Sequence, residues 1–186
     1  MTEVVVARLQ AAPEEVRSLR SRLSGSERQR AERFRFERDR RRYVVARARL
    51  RELLGARLGV HPEAVEIEYG RNGKPRLARG EWHFSVSHSD DVALYGFSSR
   101  EVGVDIEAVR PIAQADAIAA QFFSPGEYTA YCARRSTFLE CWTRMEALAK
   151  ASGEGLAGIP LDASPWSLKN FSPLAGFVAA LACRNG

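Results

Sequence analysis

Lysine is nearly missing from this chain. Only Lys74, Lys150 and Lys169 stand among 28 basic residues, and arginine supplies the rest. Cysteine is as sparse: Cys132, Cys141 and Cys183 are odd in number and lack CxxC spacing. That excludes a disulfide framework or zinc knuckle, suits a reducing cytosol, and leaves the three to be read as small buried hydrophobes. No apolar run approaches the ~20 residues that cross a bilayer. The opening Met1-Thr2-Glu3 lacks the basic-then-apolar pattern of a secretory signal. A soluble, cytoplasmic protein with no membrane contact is expected. Also missing are a Walker loop, a dinucleotide-binding glycine pattern and a nucleophile elbow, which removes the commonest nucleotide-binding and serine-hydrolase chemistries.

What is present fits one globular unit, or two small halves sharing a core: 186 residues, 45% apolar and 27% charged. The formal charge is +5, with arginines crowded between positions 17 and 57. Such a segment has three readings: a nucleic-acid arm, a solvated helical face whose arginines reflect composition bias, or a receptor for phosphates or an acidic protein. The nucleic-acid reading lacks the interleaved exposed aromatics of a single-strand binder, because Phe34, Phe36 and Tyr43 suit helical core positions.

Along the chain, residues 4–9 form a β-branched run. Ser26 with Gln29 predicts a capping box for a helix to about residue 36. A longer helix is predicted from Asp39, with Tyr43, Ala46, Leu50, Leu53, Leu54 and Leu58 on its core face and Gly59 as its stop. Strands are predicted at 66–69, 82–87, 92–97 and 102–107, with turns at Asn72-Gly73-Lys74-Pro75 and Ser89-Asp90-Asp91. Helices follow at 114–122, from Ser124-Pro125-Gly126-Glu127, and at 138–151, stopped by Gly153 and Gly155. Two strands close the chain, at 166–171 and 176–183. The segments 82–97 and 166–182 both read as strand, polar turn, strand, a faint internal echo. The fold class is α+β.

Three stretches carry chemistry. In Gly103-Val104-Asp105-Ile106-Glu107, strand alternation puts Asp105 and Glu107 on one face. They form either a solvated acidic face or a pair whose repulsion a hard divalent cation such as Mg²⁺ relieves. In the helix at 138–151, Glu146 and Lys150 lie at i and i+4, either a surface ion pair or a third acid beside a phosphate-neutralising lysine. His88, between Ser87 and Ser89 where a strand meets a turn, is either structural or a donor to a phosphate oxygen.

The order of these pieces is more specific than any one of them. Gly73-Lys74-Pro75, then Phe84-Ser85-Val86-Ser87-His88-Ser89, then Gly103-Val104-Asp105-Ile106-Glu107 come first. Phe122-Phe123-Ser124 with Glu127-Tyr128 follows, then Trp142-Thr143 with Glu146-Ala147 and Lys150, and last Gly153-Glu154-Gly155-Leu156. The series resembles the 4′-phosphopantetheinyl transferase superfamily, in its monomeric surfactin-synthetase-activating type, over about residues 28–182. The resemblance implies two similar α+β halves about a pseudo-twofold axis, expected at 1–98 and 99–186, with coenzyme A in the cleft between them. It implies transfer of the 4′-phosphopantetheine arm to a serine of an apo acyl or peptidyl carrier protein, releasing adenosine 3′,5′-bisphosphate. Asp105, Glu107 and Glu146 would hold Mg²⁺. Glu146, or Glu107 by way of a water, would take the serine proton, and Lys150 would serve the reacting phosphates. Asp105, Ser87 and His88 would stand at the coenzyme A phosphates, Arg30, Arg33 and Arg42 at its 3′-phosphate, and Lys74 and Pro75 on the adenine side. One departure stands out: the residue before the helical glutamate is Met145, where the family commonly has lysine. A carrier binder without catalysis is the rival this departure suggests.

Overall fold

The computed structural model describes residues 1–70, 72–80, 82–156 and 163–186. Two strands at its centre, β4 (His83–Ser89) and β6 (Val102–Ala108), lie side by side in different sheets. Each belongs to a three-stranded antiparallel sheet. In the first, β5 (Val92–Ser98) lies between β1 (Thr2–Arg8) and β4. In the second, β8 (Phe177–Arg184) lies between β7 (Trp166–Phe171) and β6. Both sheets are built alike: a strand, an excursion through helices, then a hairpin whose second strand returns to the middle. The hairpin echo in the sequence is therefore a repeated topology, and the α+β class with two similar halves holds. Strands β2 (Ile67–Tyr69) and β3 (Pro75–Leu77) make a separate short hairpin.

A long helix backs each sheet. In the first half α3 (Glu37–Leu58) buries Val44, Val45, Ala48, Leu50 and Leu54 against Phe84, Tyr95 and Phe97. It ends where Gly59 takes a left-handed φ of 67°, a conformation that costs glycine little. In the second half α6 (Phe138–Ser152) lies on β6 and β8 through Ala147, Leu148 and Ala151. Contact is closest at Gly103, where an added Cβ would run into the Ala147 carbonyl and approach Ala151 N to 2.5 Å. The neighbouring strand is as tight: a Cβ on Gly96 would sit 2.6 Å from Val104 Cγ1.

Several local expectations need correction. The first capping box is Ser24 with Glu27, capping α2 (Gly25–Glu32), and not Ser26 with Gln29. A carboxylate is the stronger acceptor, and Glu27 also binds the buried Arg51 at 2.5 Å. The helix stops at Glu32 instead of residue 36, and α3 begins two residues before Asp39. Helix α1 (Pro13–Leu19), which buries Val16 and Leu19, lies in a stretch whose apolar residues are too few to mark a period. Of the cysteines only Cys141 is buried. Cys183 is half-buried and Cys132 is exposed, on the last residue of α5 (Pro125–Cys132). Between the halves of the chain, α4 (Ala115–Phe122) precedes α5 much as expected, and Ser124 caps α5.

Gly103→Ala is expected to be the most damaging single-methyl change in the second half. Pushing α6 off β6 costs about 3 kcal/mol, which lowers the melting temperature by roughly 6–12 °C. Thermal unfolding by circular dichroism measures it, and an unchanged midpoint would contradict the close approach.

Candidate active site at the seam between the two halves

Alternation along β4 sends successive side chains to opposite faces. Ser85, Ser87 and Ser89 turn toward β6 and are buried, while His88 is exposed on the other face. Ser85 Oγ accepts the Val104 N–H at 3.1 Å. Ser87 Oγ donates to Asp105 Oδ1 at 2.7 Å. Ser89 Oγ accepts the Ala108 N–H at 3.1 Å and donates to Glu107 Oε2 at 2.9 Å. Asp105 is 4% exposed, so the solvated acidic face is ruled out for it.

Helix α6 completes the site from the other side. Lys150 Nζ reaches Asp105 Oδ1 at 2.6 Å and Ser87 Oγ at 3.0 Å, so the lysine crosses to the strand rather than pairing with Glu146 on its own helix. Asp105 Oδ1 thus has two donors, while Asp105 Oδ2 is buried with no hydrogen-bond partner. Burial raises the Glu146 carboxyl above its usual range, Lys150 opposes the shift, and the nearby Asp105 and Glu107 charges add to it. Among the described residues no three acids, histidines or cysteines close into a finished metal cage. The orphaned Asp105 oxygen, and an all-carboxylate donor set held beside it, nevertheless fit a hard cation.

Cavities lie on both sides of β4, two adjoining ones against the first half and a third at the seam itself. One, of about 580 Å³, is lined by Arg30, Phe34, Arg42, Tyr43, Pro75 and His88. Arg33 lines an adjoining cavity of about 560 Å³ that shares Arg30, Phe34 and Tyr43. Arg30, Arg33 and Arg42 have no carboxylate within 4.0 Å among the described residues, whereas Arg20, Arg22, Arg40, Arg41, Arg47, Arg49, Arg51 and Arg57 all do. Most of the arginine-rich segment is therefore paired in place; Arg28 donates to the Leu23 carbonyl and Arg35 lies over the Phe36 ring, while Arg30, Arg33 and Arg42 line the cavities. The third cavity, of about 250 Å³, has Lys74 and Pro75 on one wall and Glu146 and Lys150 on the other. Here Lys74 donates to the Ala151 carbonyl at 2.5 Å and Asn72 to the Gly153 carbonyl at 2.9 Å, so the β2–β3 turn clasps the C-terminus of α6. Burial lowers the Lys74 pKa.

Two segments match known families. Residues 8–98 match the profile "4′-phosphopantetheinyl transferase, N-terminal", and residues 101–178 match "4′-phosphopantetheinyl transferase superfamily". The chain is 34% identical to the 4′-phosphopantetheinyl transferase HetI of Nostoc sp. over 192 aligned positions, spanning 90% of this chain and 81% of that protein. The chain belongs to the 4′-phosphopantetheinyl transferase superfamily. It is also 32% identical to psf-1 of Bacillus pumilus and 28% identical to Sfp of Bacillus subtilis (strain 168). Those alignments span 78% and 75% of this chain and 64% of each relative, so it covers slightly under two thirds of their length. As a transferase of the Sfp-like type, it moves 4′-phosphopantetheine from coenzyme A to a carrier protein.

The structure gives places to motifs whose roles the residues alone did not disclose. Glu127 takes a two-pronged grip from Arg144, with Nε at 2.6 Å, which fastens α5 to α6. Arg144 also donates to Asn170 on β7. Met145, in the position where the family commonly carries lysine, is buried in the apolar cluster of Ala119, Phe123 and Cys141. Its side chain is part of the packing that seats α6. The same burial pushes the Cys141 thiol up to about 12, so it is an inert hydrophobe at neutral pH. Sequence reasoning missed the inward role of Ser85 and Ser89. The serine at every second position of β4 was the available signal.

A carboxyl whose folded pKa is raised favours the fold below its unfolded value, near 4.5, and loses that advantage as pH rises through the folded value. In metal-free protein, Glu146→Gln is therefore expected to melt higher than wild type at about pH 7.5. The gap should close as the pH falls below about 4.5. A pH series of thermal melts measures this, and a gap that widens toward acid would contradict the assignment.

Proposed function

We propose that coenzyme A binds with its nucleotide in the arginine-lined cavity and its pyrophosphate at the seam. There the arm passes to the serine hydroxyl of an apo acyl or peptidyl carrier protein and adenosine 3′,5′-bisphosphate is released. The observation that carries the reading is the partnerless buried oxygen of Asp105, next to a glutamate whose pKa is raised by burial, with the Asp105 and Glu107 charges adding to the shift. Asp105, Glu107 and Glu146 would hold Mg²⁺ there. When bound, the cation supplies neutralising charge to the pyrophosphate.

The chain's own groups do the rest. Glu146, which lines the same cavity as Lys150, accepts the proton of the carrier serine; Glu107, by way of a water, is the alternative acceptor. Lys150 has three N–H donors, two of which serve Asp105 and Ser87, leaving the third for a reacting phosphate oxygen. Ser87 reaches those phosphates through Lys150 and Asp105, whereas His88 stands in the nucleotide cavity itself. Arg30, Arg33 and Arg42 offer planar forks to the 3′-phosphate. Pro75 lines the adenine side, and Lys74 faces the cavity shared with Glu146. The two halves divide at 1–98 and 99–186, and the protein works as a monomer. The three free cysteines support a cytoplasmic setting, and no helix among the described residues is long and apolar enough to cross a membrane. The paired arginines argue against nucleic acid as the partner.

Protein incubated with coenzyme A, Mg²⁺ and a panel of apo carriers is expected to give the mass gain of one phosphopantetheine arm, abolished by EDTA. Asp105→Ala should lower turnover about 100-fold or more while carrier binding is kept. No mass gain on any carrier would sink the proposal and leave the binder without catalysis.

A further inference from the structure

The serines of β4 divide into two kinds. Ser85 serves only the backbone, accepting the Val104 N–H. Ser89 serves backbone and acid together. Its oxygen accepts the Ala108 N–H at 3.1 Å, which leaves its single proton for Glu107 Oε2 at 2.9 Å. At 6% exposure no bulk water competes for that proton. Ser89 therefore engages one named oxygen of Glu107, Oε2, and leaves Oε1 for another partner. Ser87 does the same to Asp105, occupying Oδ1 and leaving Oδ2 without a partner. Both acids lie on β6 in the second half, and both hydroxyls come from β4 in the first.

We propose that Ser89 is a positioning residue for Glu107, acting across the seam to fix which carboxylate oxygen faces the cation. This rests on the cation assignment proposed above. Hydrogen bonds from a neighbouring group to a ligating carboxylate hold its orientation, and their loss commonly weakens metal binding 10- to 100-fold. The role differs from phosphate binding, because Ser89 faces β6 whereas His88 opens to the nucleotide cavity.

The test uses Mn²⁺ as the probe. Free Mn²⁺ is followed by electron paramagnetic resonance in the presence of coenzyme A, and thermal melts are run on the same samples. Ser89→Ala is expected to weaken Mn²⁺ binding about tenfold, raising the KM for metal while kcat at saturating metal changes little. Ser89→Thr keeps the hydroxyl and should restore the affinity. Ser89→Cys keeps the volume with a weaker donor, should fall between them, and serves if alanine does not fold. Ser85→Ala, which breaks a seam hydrogen bond without touching an acid, should lower the melting temperature yet bind Mn²⁺ as wild type does. Wild-type affinity in Ser89→Ala, or an equal loss in Ser85→Ala, overturns the inference alone. A wild-type protein that binds no Mn²⁺ overturns the cation assignment, and this inference with it.

Discussion

Two strands meet at the middle of this protein without a backbone ladder between them, and serine hydroxyls make the connection instead. Strand β6 spends one edge on β8. On its other edge, Val104 and Ala108 would carry unpaired N–H groups, the first buried and the second half-buried, and an unpaired buried donor costs about 1–3 kcal/mol. Ser85 and Ser89 accept both. The small size of serine lets β4 come this close, and Gly96, with no room for a Cβ beside Val104, lets β5 follow. Replacing a ladder by side chains leaves hydroxyl protons available: that of Ser89 goes to Glu107, and Ser87, which lies between the two, gives its own to Asp105.

The chemistry inherits its geometry from that arrangement. Neither half holds a complete site. The first supplies the serines, the arginines and His88; the second supplies Asp105, Glu107, Glu146 and Lys150. Asp105 is the joint, held by Ser87 from one side and by Lys150 from α6 on the other. Helix α6 is itself fixed at three places: Gly103 beneath it, the Glu127–Arg144 clamp along it, and Lys74 at its C-terminus. A displacement at any of them would move Glu146 and Lys150 together.

Much of this was legible in the sequence. Period-2 alternation located the strands and put Asp105 and Glu107 on one face, helical periodicity and Gly153 delimited α6, and the repeated hairpin hinted at the two halves. What alternation cannot disclose is what a face packs against. A polar face of Asp105 and Glu107 reads equally as solvated or as cation-binding until β4 is laid beside it, and the alternation of Ser85, Ser87 and Ser89 does not say which strand they turn toward. The clasp of Lys74 was illegible for the same reason: its ammonium lies on the Ala151 carbonyl, a contact 77 residues away in sequence that no local pattern encodes. The capping register failed for a similar reason. Glu27 outcompetes Gln29 partly because it also neutralises Arg47 and Arg51 from α3.

Side-chain hydroxyls bonded to the free edge of β6 join the two halves. Native-state hydrogen exchange of the Val104 and Ala108 amides measures it directly. Protection as strong as that of the β6 amides paired with β8 is the predicted result. Exchange at those two sites near the rate of an unstructured chain, with the rest of β6 protected, would contradict it.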